Sequence, residues 1–316
     1  METLNFRNGD DMPILGLGTW KSKPGEVHDA VKHAVRAGYR HIDCAAIYGN
    51  EQEIGKALAE LFAAKEVTRE ELWITSKLWN NAHREADVPK ALEKTLKDLN
   101  LDWLDLYLVH WPVALNPDVV FPKKGSDFIS LDDLPLLQTW QGMETCVKNG
   151  LAKHIGVSNF GVKKLKELLK TSFIQPEMNQ IELHPFLQQE KMLRFCSENK
   201  VLVTAYAPLG SGDRPKAMKR EDEPSLLDNP VILEIAENKS CTPGQVLIKW
   251  AIQRETAVIP KSVHAGRIAE NIQALDVQLS REEMVAISAL DRHERYIQGD
   301  FWTMPGSPYT MEGLWE

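Results

Sequence analysis

Short apolar runs alternate with amphipathic stretches along almost the whole chain. Eight runs read as strands, at residues 14–18, 39–43, 72–77, 105–110, 154–158, 177–182, 201–206 and 257–260. Several are close to continuously apolar, the pattern of strands buried on both faces of a parallel sheet. The gaps carry helical periodicity. Val27, Val31, Ala34 and Val35 share one face that stops at Ala37-Gly38, where a glycine can end a helix. Similar faces follow through Ile54, Leu58 and Leu61, then Leu92, Leu96 and Leu99, then Trp140, Met143 and Val147. Further ones run through Leu165, Leu168 and Leu169, and through Met192, Leu193 and Cys196. Thr242-Pro243 opens another, through Val246, Leu247 and Trp250, and Ile268 and Ile272 mark the last. Eight strand–helix units over about 250 residues predict a (β/α)8 TIM barrel, with an open doubly wound sheet as the alternative.

Leu4-Asn5-Phe6 and Met12-Pro13-Ile14 flank Asn8-Gly9-Asp10, which predicts an N-terminal β-hairpin. Residues 114–134 and 210–228 read as long loops, and 291–316 as a tail rich in Gly, Pro and aromatics. Loops of this length in a compact domain usually serve the site, so they are expected over the active-site face. No composition break divides residues 1–316, which read as a single domain.

Composition narrows the partners. A net charge of −8 argues against nucleic acid or an anionic membrane. No apolar stretch reaches membrane-spanning length. Glu2, Arg7, Asp10 and Asp11 argue against a secretory signal. Cys44, Cys146, Cys196 and Cys241 are scattered, without a CxxC pair, which suits reduced thiols in a cytoplasm. No obligatory protein partner is evident.

The strand ends carry the chemistry. Asp43, Lys77 and His110 close three successive apolar runs, and Tyr48 follows Asp43 closely. Unpaired burial of such groups is costly, whereas parallel neighbouring strands would bring them together at one end. Asp43 and Lys77 can then pair, and the ammonium is expected to lower the pKa of Tyr48, making it a general acid. His110 can hydrogen-bond a carbonyl oxygen. A metal set of His41, Asp43 and His110 is a competing reading, weakened because Lys77 would repel a cation; no metal is expected. Gly16-x-Gly18 begins like a dinucleotide fingerprint, but Lys21 takes the third glycine position, so the glycines read as close backbone packing.

Later strand ends resemble a cofactor cradle. Ser158, Asn159 and Gln180 can bind an amide, and Tyr206 can stack on a flat ring. Lys261, Ser262 and Arg267 combine a point charge, a hydroxyl and a planar fork suited to phosphate. Trp20, Trp79 and Trp111 each follow a strand end and suggest an apolar pocket wall.

These residues resemble the aldo-keto reductase family, in its aldose/aldehyde reductase-like branch. The matching segments include Gly38-Tyr39-Arg40-His41-Ile42-Asp43-Cys44-Ala45, Tyr48-Gly49-Asn50-Glu51, Leu108-Val109-His110-Trp111-Pro112, Ile155-Gly156-Val157-Ser158-Asn159-Phe160 and Arg267-Ile268-Ala269-Glu270-Asn271. The resemblance implies NAD(P)H-dependent carbonyl reduction, with Tyr48 as acid, Asp43 and Lys77 tuning it, and His110 orienting the carbonyl. It implies that Ser158, Asn159 and Gln180 hold the nicotinamide and that Tyr206 stacks on it. Leu209 and Ser211 would touch the pyrophosphate with Asp213 near Lys261, and Glu270 and Asn271 would reach the adenine. Thr19 and Trp20 complete the expected cofactor set, and Ile47 the expected pocket. NADPH is the expected cofactor, with NADH as a weaker alternative, and the expected substrate is a small carbonyl compound. His264 stands where many NADPH-dependent members carry threonine, and Lys216 where mammalian aldose reductases carry a pocket tryptophan. The alternative function is a cofactor-binding regulatory or interaction protein on the same barrel with little turnover.

Overall fold

The chain opens with β1 (Thr3–Asn5) and β2 (Asp11–Pro13), paired antiparallel in the register Leu4↔Met12. Gly9 supplies the positive φ of 93° that the reversal needs, and the Asn8 side chain accepts from the Asp10 amide at 3.0 Å. The structure, a computed structural model, describes residues 2–316.

Eight strand–helix units follow. They begin with β3 (Leu17–Gly18), α1 (Glu26–Ala37), β4 (His41–Asp43), α2 (Glu51–Ala63), β5 (Trp73–Leu78), α3 (Val88–Leu99) and β6 (Leu104–Val109). The next loop holds β7 (Ala114–Leu115) and β8 (Phe128–Ile129), then come α4 (Leu136–Lys148), β9 (Ala152–Ser158), α5 (Val162–Thr171), β10 (Met178–Glu182), α6 (Glu190–Glu198) and β11 (Leu202–Tyr206). The last part holds α7 (Pro230–Asn238), α8 (Pro243–Ile252), β12 (Ala257–Val258), α9 (Ala265–Ile272), α10 (Arg281–Ser288) and α11 (Met311–Trp315).

The sheet runs β12-β11-β10-β9-β6-β5-β4-β3, with every pair parallel. It closes on itself. Leu15 bridges Val258 and Gly18 bridges Lys261, both parallel, and Gly16 N donates to Val258 O at 2.9 Å. Closure explains the two glycines. A Cβ on Gly16 would lie 2.6 Å from His41 Nδ1, and one on Gly18 would lie 2.7 Å from Ile259 O. The eight expected strands are therefore all present, in a (β/α)8 barrel with its N-terminal hairpin.

The helices follow from pattern and caps. α1 buries Val27, Ala30, Val31, Ala34 and Val35 and ends at Gly38 with φ 104°. α8 starts at a Thr242/Gln245 capping box and is buried along its length. Several elements go beyond the sequence reading, among them the short α11 in the tail. α7 starts from Asn229, whose side chain accepts from Val231 N at 3.0 Å, with Pro230 in its first turn. α10 starts from a Ser280/Glu283 capping box. The expected loop 114–134 contains the small β7–β8 hairpin.

Candidate active site

Parallel register gathers the chemistry. Asp43 ends β4, opposite Gly18 and Thr75, while Lys77 near the end of β5 lies opposite Leu108, two residues before His110. Lys77 Nζ lies 2.6 Å from Asp43 Oδ2 and donates to Cys44 O at 2.8 Å. The other Asp43 oxygen accepts from Gln180 Nε2 at 2.7 Å. Both charged groups are buried, and removing either would strand the other. Tyr48 is carried on a single 3₁₀ turn, residues 46–48. Lys77 Nζ sits 5.2 Å from the centre of its ring. The His110 ring meets it edge-on at 5.9 Å.

The electrostatics correct one expectation. Burial, and then the charge of Asp43, hold the Tyr48 hydroxyl well above its ordinary pKa. The lowering expected of the Lys77 ammonium is outweighed by the depth of burial and by the charge of Asp43. Tyr48 is thus fully protonated at neutral pH, as an acid must be before it acts. Burial, followed by the charge of Lys77, holds His110 well below its usual range. Its imidazole is neutral, and its Nδ1 is buried without a partner.

A second polar group adjoins the first. Asn159, with φ 63°, follows β9. Its Nδ2 donates to His110 O at 2.9 Å and to Ser158 Oγ at 3.2 Å, and its Oδ1 accepts from the Tyr206 hydroxyl at 2.7 Å. Ser158 Oγ donates to Gln180 O at 2.8 Å. Ser158, Asn159, Gln180 and Tyr206 are therefore brought together and linked through Gln180 to Asp43. Thr19 turns inward, its hydroxyl donating to Asp43 O at 2.7 Å, while Trp20 is stacked on Tyr48 at 6.3 Å.

The loop after β11 forms a strap. Asp213 lies 2.5 Å from Lys21 Nζ and 3.2 Å from Lys261 Nζ, and Lys21 also donates to Ser211 Oγ at 2.8 Å. Burial alone would raise the Asp213 pKa, but the two lysines outweigh it and hold it low. Lys21 went unassigned in the sequence, where it showed only as a break in a glycine motif. Ser262 is buried and its Oγ accepts from His264 N at 3.2 Å. Arg267 lies exposed in the first turn of α9. Glu270 accepts from Thr242 Oγ1 at 3.0 Å, and Asn271 is buried close to Gly244. Leu209 packs against the core.

Aromatic side chains pack beside these polar groups. Trp79, Trp111, Phe128, Trp302 and Tyr309 form one buried cluster, with Trp20 and Ile47 against its edge. Trp302 packs 5.7 Å from Trp79 and 5.8 Å from Trp111. It comes from the tail, which therefore forms part of the cluster, as expected of a segment over this face. Lys216 is exposed. Phe121 and Phe301 keep exposed surface beside Trp79 and Trp111. The metal reading finds no support: the two nitrogens of His41 engage Pro13 O at 3.2 Å and Thr75 Oγ1 at 3.3 Å.

Among the described residues no helix is long and apolar enough to cross a membrane. Residues 14–292 match the model of the aldo/keto reductase family. An aldo/keto reductase of Synechocystis sp. is 55% identical over 316 residues, covering 100% of this chain and 97% of that protein. Aldo-keto reductase family 1 member A1 of Mus musculus is 48% identical, over 92% of this chain and 90% of its own length. The structure of the aldose reductase from Schistosoma japonicum superposes with a TM-score of 0.86 at 42% identity, covering 95% of this chain and 97% of that one. The barrel, its polar strand ends and these relatives agree: the chain belongs to the aldo/keto reductase family and is an NAD(P)H-dependent oxidoreductase.

Proposed function

We propose that this protein reduces aldehydes and ketones to alcohols, with NADPH preferred and Tyr48 donating the proton. The observation that carries the reading is the buried Asp43–Lys77 pair at 2.6 Å beneath Tyr48, beside a neutral His110. A buried ion pair is weak support for stability, so its position beside a phenol and an uncommitted imidazole argues for chemistry.

The residues fit a nicotinamide dinucleotide. Asn159, Ser158 and Gln180 offer amide and hydroxyl groups at one place, and Tyr206 offers a ring held by its own hydroxyl. Lys21, Ser211, Asp213 and Lys261 make a strap suited to cover a pyrophosphate, with Leu209, Glu270 and Asn271 beyond it on the adenine side. When bound, the reduced nicotinamide supplies a hydride to the carbonyl carbon. Tyr48 gives its proton to the carbonyl oxygen as charge develops there; an alkoxide is far more basic than a phenolate, so a raised Tyr48 pKa does not prevent the transfer. Lys77, fixed by Asp43 and Cys44 O, stabilises the phenolate left behind. The neutral imidazole of His110 hydrogen-bonds the same oxygen and orients it. The tryptophan wall excludes water, which strengthens these interactions.

Lys261, Ser262 and Arg267 support the preference for NADPH, whose 2′-phosphate would meet two cations near the start of α9. The apolar wall supports aromatic and medium-chain aldehydes over open-chain sugars, whose hydroxyls find few partners there. The test is a panel of carbonyl substrates with NADPH and NADH, followed by loss of reduced-nicotinamide absorbance. The expected result is a higher kcat/KM for benzaldehyde than for an aldose, and for NADPH than for NADH. An aldose preferred over benzaldehyde would refute the substrate assignment, and no turnover with any carbonyl would refute the function.

A further inference from the structure

The strap over the proposed cofactor site and the tail over the proposed pocket meet at one buried side chain. Arg214, 2% exposed, organises the strap. Its Nε donates to Met218 O at 3.0 Å, its Nη1 to Ser211 O at 3.2 Å, and its Nη2 pairs with Glu223. The guanidinium then lies 5.0 Å from the ring centre of Tyr296, in the tail. The strap backbone touches the same ring. Gly210 has φ 86°, and a Cβ there would sit 3.4 Å from Tyr296 Cε2. The Tyr296 hydroxyl donates to Pro224 O at 2.7 Å, at the far end of the strap.

Glu182 holds the backbone of Tyr296. This carboxylate, fully buried at the end of β10, accepts from Tyr296 N at 2.6 Å, Ile297 N at 2.9 Å and His184 Nε2 at 2.8 Å. Two residues earlier on the same strand, Gln180 reaches Asp43. Ile297 belongs to the aromatic cluster with Trp79, Trp111 and Trp302. Moving Tyr296 would therefore shift both the strap and the side chains that form the pocket wall.

We propose that Arg214 and Tyr296 are positioning residues that make the fit of an extended apolar aldehyde depend on the closed strap. The inference rests on reading the strap as the cofactor cover and the aromatic cluster as the substrate pocket. A closed strap holds Tyr296, Tyr296 holds Ile297 and the tail, and the tail completes the far wall. Short aldehydes do not reach that wall. Coupling between two sites is reciprocal, so loosening the tail must also loosen the cofactor.

The experiment uses the full chain. NADP⁺ release is followed by protein fluorescence after rapid mixing, and KM and kcat are measured with NADPH for nonanal and propanal. The variants are Arg214→Met, Tyr296→Leu and Tyr296→Phe. Arg214→Met and Tyr296→Leu should each speed NADP⁺ release and raise KM for nonanal by about fivefold or more, the lower end of site–site coupling. KM for propanal should stay within about twofold, a split that general destabilisation would not produce. Tyr296→Phe keeps the stack and should restore most of both effects. Tyr296→Leu alone decides the matter if Arg214→Met does not fold, since Tyr296 lies outside the strap. Faster NADP⁺ release with an unchanged nonanal-to-propanal KM ratio would overturn the proposal, as would a changed ratio with unchanged release. A wild-type protein that reduces neither aldehyde would instead overturn the function on which the proposal rests.

Discussion

His110 and His154 stand at opposite ends of one barrel and meet opposite fates. His154, in β9, lies between two carboxylates, with Nδ1 2.7 Å from Glu177 and Nε2 2.9 Å from Asp10 of the hairpin turn. Its ring packs against Phe6 at 4.2 Å and Trp73 at 5.4 Å, which also touch each other at 4.9 Å. Burial works against a proton there, but the bonds to Glu177 and Asp10 outweigh it and raise the pKa. At the other end His110 has no carboxylate beside it, Lys77 nearby, and a buried Nδ1 without a partner. The contrast separates scaffold from chemistry. Where the hairpin closes the barrel, both nitrogens of the histidine are paired with carboxylates. Where the strands deliver Tyr48 and His110, a ring nitrogen of His110 stays unpaired, which suits the proposed reaction, and the ion pair beneath is fastened so that it holds its place.

The largest effect should come from Tyr48→Phe. Removing the proton donor should lower kcat/KM for benzaldehyde by about 10²–10⁴, with NADPH affinity within a few-fold of wild type by fluorescence titration. Activity near wild type would return the acid to another group and erase the distinction between the two ends.

Lys77→Met should come next, and it should hurt both stability and activity. It leaves Asp43 buried with only Gln180 as a donor, and breaking one side of a buried pair costs about 3–5 kcal/mol. Urea unfolding should show that loss, and an unchanged midpoint would mean that the pair is not part of the scaffold. A smaller effect is expected of Arg267→Ala. One charge-assisted contact to a 2′-phosphate is worth about 1.5–3 kcal/mol, so NADPH should bind about tenfold or more weakly while NADH is unaffected. Equal weakening of both cofactors would remove Arg267 from the phosphate site.

How much of this was readable depends on how local the signal is. Strands buried on both faces give continuous apolar runs, so the ends at Asp43, Lys77 and His110 stood out and the parallel register then had to unite them. Gly16 and Gly18 read correctly as close packing, which the approach of His41 and Ile259 bears out. The Ser280/Glu283 capping box was legible in principle and marks α10, which the apolar pattern alone did not reveal. Lys21 was not legible, because its partner Asp213 lies 192 residues away and no local pattern announces such a pair. Trp302 sits in a tail with no periodicity: that the tail around residues 296–302 folds over Trp79 and Trp111 was expected, but not that the Trp302 ring packs against both. The direction of the Tyr48 shift differs from the expectation for a related reason: it depends on how deeply the phenol is buried and on how near Asp43 lies, and neither is a property of spacing.

The most direct test of the division between chemistry and scaffold exchanges the two histidines' losses. His110→Gln and His154→Gln would be compared for kcat/KM with benzaldehyde and for urea unfolding across pH. His110→Gln should lose about 10²–10³ in kcat/KM with its unfolding midpoint preserved. His154→Gln should keep its activity and lose about 1.5–3 kcal/mol of stability. A raised folded pKa stabilises only while the ring is protonated, so that loss should be full below about pH 6.5 and fade as the pH rises through the folded value. Lost activity in His154→Gln at preserved stability, or wild-type activity in His110→Gln, would contradict the account.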